Sequence, residues 1–91
     1  MERFIIGESS TKKTKRMLEY AKENDSVVVC KNVSSMKEKA RNYNIYGLEF
    51  MSYDEFNDGS VYAEKVAIDE IADFIRYVFG VELDAFTMTI D

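Results

Sequence analysis

A chain of 91 residues with 46% hydrophobic and 13% aromatic side chains forms one domain over residues 1–91 and holds too much apolar surface to stay disordered. Its single cysteine excludes an intrachain disulfide, and the lack of histidine removes most zinc sites and the commonest general base. The net charge of −5 disfavours nucleic acid as a partner, but it is uneven: residues 1–45 carry ten Lys/Arg against six Asp/Glu, and residues 46–91 carry two against eleven.

Phe4-Ile5-Ile6 is an apolar run that stops at Gly7 and reads as a buried strand. Over residues 11–23 the spacing turns helical, with Met17, Leu18 and Ala21 on one face. Ser26–Cys30, rich in valine, is a second buried strand. Ser35-Met-Lys-Glu38 has the form of a capping box, followed by Met36, Ala40 and Tyr43 at helical spacing. Leu48–Met51 reads as a third strand, and Ser52-Tyr-Asp-Glu55 as a second capping box opening a helical turn. Asn57-Asp58-Gly59-Ser60 is a turn. Lys65–Ile68 is a fourth strand. Ile71, Phe74, Ile75 and Val78 form a helical stripe stopped by Gly80, and Ala85–Ile90 reads as a last strand. Alternating strands and helices predict a doubly wound parallel sheet of four or five strands with helices on both faces.

Two segments carry candidate chemistry. Gly7-Glu-Ser-Ser-Thr-Lys12-Lys13-Thr14 lies between a strand and a helix, with Gly7, Lys13 and Thr14 in the register of a phosphate-binding loop. Such a loop cradles an anion with backbone N–H groups and the helix N-terminus, so Gly7, Ser10, Lys12, Lys13 and Thr14 are the candidate binding residues. Lys12 stands where the pattern has its second glycine, the residue that lets phosphate approach the backbone. A polar turn capped by Ser9 or Ser10 reads the same segment without chemistry. The second segment is Val66-Ala-Ile68-Asp69-Glu70, a strand ending in two carboxylates. Asp69 suits magnesium and Glu70 suits polarising a water, although Asp69 is equally a good helix N-cap. Ligands of parallel sheets bind at the edge where both segments fall.

Together these residues resemble the P-loop NTPases, in particular the RecA-like cores of helicases and packaging motors, in the reduced form met as small open reading frames of phages of Gram-positive bacteria. The resemblance implies a P-loop fold, with ATP as ligand and magnesium held by Thr14 and Asp69. Glu70 is then the catalytic residue of any hydrolysis. The lysine at position 12 implies binding rather than efficient turnover. The alternative is an acidic inhibitor that keeps the fold without the chemistry and docks on a basic protein surface, as an anti-CRISPR protein does on a host defence nuclease. The short N-terminal apolar run and the lack of a ~20-residue apolar stretch predict a cytoplasmic protein without a membrane partner.

Overall fold

The computed structural model describes residue 5 and residues 12–87. Among these, α1 (Lys13–Asn24), β1 (Val27–Cys30), α2 (Val33–Asn42), β2 (Phe50–Ser52), α3 (Tyr53–Asp58), β3 (Val66–Ile68) and α4 (Ile71–Phe79) follow in order. The strands form one sheet of order β2-β1-β3. Both pairings are parallel: Val28 lies opposite Phe50 and Ala67, and Val29 opposite Met51 and Ile68.

Alternation along the central strand divides the core. Val28 and Cys30 turn to one face, where they pack with Met17, Leu18 and Ala21 of α1 and Met36 and Ala40 of α2. Val29 turns to the other, against Met51, Tyr53 of α3 and Phe74 of α4. The chain therefore runs from β1 out to β2 with α2 on one face and returns across β1 to β3 with α3 on the opposite face. Reversing direction while changing face gives both crossovers the same hand, as parallel sheets require. The sheet is an α/β sheet with helices on both faces.

Three strands are present among the described residues, not the four or five predicted. Of Phe4–Ile6 only Ile5 is described; it lies outside any strand and packs against the α1–α2 core. Residues 85–87 are not in a strand, and Met88–Ile90 lie outside the described residues. Ile71, placed on the buried stripe of α4, is 41% exposed, while Phe74 at 8% carries the packing. Helix α2 begins before the serine pattern: Asn32 is its N-cap, accepting from the Ser35 N–H at 2.9 Å. Ser35 is thus inside the helix and caps nothing. The second capping box forms as read, with Ser52 Oγ accepting from Glu55 N–H at 3.1 Å and Glu55 accepting from Ser52 N–H at 3.0 Å. Gly59, with φ 72°, closes α3 in the left-handed region that glycine favours. No helix among the described residues is long and apolar enough to cross a membrane.

Candidate functional site

Parallel strands joined through helices place every following helix N-terminus at the carboxyl edge of the sheet. At this edge α2 leaves β1 on one face and α4 leaves β3 on the other, the arrangement that in open parallel sheets makes a crevice outside the strand ends. That is where ligands bind in open parallel sheets.

Asp69 follows the end of β3 at this edge. Its backbone N–H donates to the Val29 carbonyl at 2.9 Å, which extends the β1–β3 ladder one residue past the strand. Its own carbonyl accepts from the Tyr53 hydroxyl at 2.7 Å. With both backbone groups engaged, only the side chain is left to meet a ligand, and it is half-buried. Burial raises the Asp69 carboxyl above its usual range, the Glu70 and Asp73 charges raise it further, and Lys39 and Lys13 pull it back.

Asp69 is not the N-cap of α4. Glu70 holds that position with φ 56° and ψ 69°, in the left-handed region, and its side chain makes no capping hydrogen bond. Glu70 is exposed. Lys12 repeats the arrangement at the start of α1, exposed and left-handed at φ 56° and ψ 37°, again without a side-chain cap. This is the residue that replaces glycine in the loop pattern, and its backbone adopts the conformation for which glycine is the usual choice. Lys13 and Thr14, both half-buried, are the first two residues of α1. Lys13 lies within electrostatic reach of Asp69. Gly7 and Ser10 lie outside the described residues.

Three residues of the edge were not singled out by the motifs. Tyr53 is 2% exposed at the start of α3. The signal for Tyr53 was the capping box at Ser52, which makes the next residue the first of a helix lying against the strand ends. Lys39 contributes positive charge towards both Asp69 and Cys30. Cys30 ends β1 with its thiol buried and pushed up to about 11, first by burial and then by the Asp69 charge. Arg76 points elsewhere, to an exposed ion pair with Glu82 at 3.5 Å.

The oxygen donors carried by this edge are of the kind a hard cation takes. Thr14 and Asp69 offer oxygen ligands, and no group of three or more acidic, cysteine or histidine ligands occurs among the described residues. Magnesium commonly takes one or two protein carboxylates beside phosphate oxygens and water, and Asp69 is a half-buried carboxylate of that kind. A separate pocket lined by Lys22, Ser26, Gly47 and Glu49 lies at the opposite, amino edge.

Compared with known protein families, curated proteins and solved structures, the chain matches none of them.

Proposed function

We propose that this protein binds the phosphates of a nucleotide such as ATP, with magnesium, at the carboxyl edge by the ends of β1 and β3, and that it acts by binding rather than by efficient hydrolysis. The observation that supports the reading is that Lys13, at the head of α1, and the half-buried Asp69, just past β3, both stand at the carboxyl edge, where the Lys13 charge reaches the Asp69 carboxyl. In a reduced P-loop fold, Lys13 meets the β- and γ-phosphates, and Thr14 and Asp69 hold the metal that neutralises them. Slow turnover is supported by Lys12, whose side chain occupies a left-handed position suited to glycine, and by Arg76, whose charge is engaged with Glu82. Glu70, which follows Asp69 and is exposed, would be the residue to polarise water.

Titration calorimetry with ATP, with and without magnesium, tests the reading on wild type, Lys12→Gly and Lys13→Ala. Binding that needs magnesium, weakens by about tenfold or more in Lys13→Ala and holds or strengthens in Lys12→Gly is expected, since a hydrogen bond to a charged group contributes about 1.5–3 kcal/mol. Absence of heat in all three would end the nucleotide reading.

A second reading is favoured by exposed Phe79, Val81 and Phe86 in the acidic half of the chain. In it the protein is an inhibitor that docks on a basic protein surface, in the manner of an anti-CRISPR protein on a host defence nuclease.

A further inference from the structure

Tyr53 has more polar engagement than packing requires. Its ring is 2% exposed and sits edge-on to Phe74 at 5.2 Å and 77°, with Tyr77 tilted against it at 5.8 Å. A phenylalanine would fill that space equally well. The hydroxyl is what distinguishes it: it donates to the Asp69 carbonyl at 2.7 Å and lies 3.3 Å from the Glu70 carbonyl. A hydroxyl has one proton, so the shorter contact is the main bond and the longer one a lesser share. These two carbonyls bracket the turn in which Glu70 takes its left-handed conformation.

The chain of support runs back to the sequence. Ser52 and Glu55 cap each other and fix the onset of α3 at Tyr53. The ring then points into the face shared by Val29, Met51 and Phe74, and its hydroxyl emerges under the β3–α4 turn. Burial, followed by the Asp69 charge, raises the phenol, so it stays a neutral donor at physiological pH. With the Asp69 N–H tied to Val29 and its carbonyl tied to Tyr53, the backbone of Asp69, and with it the point from which the side chain starts, is held from both sides.

We propose that Tyr53 is a positioning residue: its hydroxyl clamps the Asp69–Glu70 turn and aims the Asp69 carboxylate at the metal that accompanies the bound phosphate. The proposal rests on the nucleotide reading above and adds to it a residue from a different helix that controls the metal contact without touching phosphate.

The test uses ATP on wild type, Tyr53→Phe and Phe74→Leu, with magnesium in one arm and EDTA in the other. Tyr53→Phe should lose about tenfold in affinity with magnesium, the low end for removing a partner that orients a metal ligand, and nothing in EDTA. Phe74→Leu loosens the same cluster but keeps the hydroxyl, and should leave the ratio between the arms unchanged. Equal losses in both arms for Tyr53→Phe, no loss in either, or the same altered ratio in Phe74→Leu, would overturn the proposal. A second measurement needs neither substitution nor nucleotide. In mixed light and heavy water the Asp69 carbonyl carbon should show, beside the shift from the Glu70 amide bonded to it, a second isotope shift transmitted from the Tyr53 hydroxyl; absence of that second shift overturns the clamp. If wild type binds no ATP in either arm, the nucleotide reading fails, and the isotope shift decides the clamp by itself. The isotope shift also decides if Tyr53→Phe does not fold.

Discussion

Lys12 and Glu70 open α1 and α4 with the same backbone torsion, φ 56°, and neither side chain caps the helix it begins. Left-handed backbone costs a residue with a Cβ about 1–2 kcal/mol. Both fall at the carboxyl edge, whereas Asp25 and Asn44, the other left-handed residues with a Cβ among the described residues, follow the ends of α1 and α2 at the opposite edge.

Replacing either residue by glycine should therefore stabilise the fold. The relief is reduced by the extra freedom glycine has when unfolded, about 0.5–1 kcal/mol, leaving a net gain of about 0.5–1 kcal/mol at each position. Urea unfolding of Lys12→Gly, Glu70→Gly and the double variant checks this. Two losses of stability would show that the backbone does not take this path.

The caps separate two serines that look alike in sequence. Ser52→Ala removes the acceptor for Glu55 N–H and should cost about 1 kcal/mol, as should Asn32→Ala at the head of α2. Ser35→Ala should stay within about 0.5 kcal/mol, because Ser35 supplies only its backbone N–H to the cap. Chemical denaturation midpoints of the three variants give the order directly.

Asp69 should make the protein less stable at neutral pH than at acid pH. Its carboxyl is raised in the folded state, so the folded chain holds that proton more firmly than the unfolded one. Its contribution is favourable below the ordinary carboxylate value of about 3.9, is lost as pH rises towards the folded value, and stays lost above it. Asp69→Asn should raise the melting temperature at pH 7 and gain nothing at pH 3. A variant that melts lower than wild type at pH 7 would mean that the carboxylate holds the fold together, not that it awaits a cation.

Cys30 should be inert in the native state. With the thiol at about 11, roughly one molecule in a thousand carries a thiolate at pH 8, and the side chain is only 1% exposed. A colorimetric disulfide reagent should label it at the rate of global opening and at once in denaturant. Immediate labelling of the folded protein would contradict its place in the core.

Much of the frame was legible because it follows local periodicity. Val27–Cys30, Phe50–Ser52 and Val66–Ile68 lie within two residues of the strands expected from apolar runs, and Met17, Leu18 and Ala21 are buried as their spacing required. The misreadings have particular causes. Asn32 displaced Ser35 as a cap because an amide placed three residues earlier caught the Ser35 N–H first. Ile71 falls on the stripe of α4, but in its first turn, beyond the reach of the core that Phe74 fills. The left-handed turns at Lys12 and Glu70 had no signature, since neither residue type favours that conformation. Tertiary closure imposes it. The role of Tyr53 was hidden for a similar reason: its partners at Asp69 and Glu70 are 16 and 17 residues away.

The placing of the second half of the chain on either side of β1 has a consequence for how the molecule assembles. Val27 pairs with Val66, and Val28 with Phe50, so neither neighbour of the central strand can be reached by a tight hairpin. The chain must close long loops before β1 gains either partner, which slows folding relative to a helical bundle of equal size. Once closed, the β1 amides are covered from both edges and both faces, and they should be the last to exchange with solvent. The turn at Lys12, outside that protected strip, is free to open separately while the sheet stays intact.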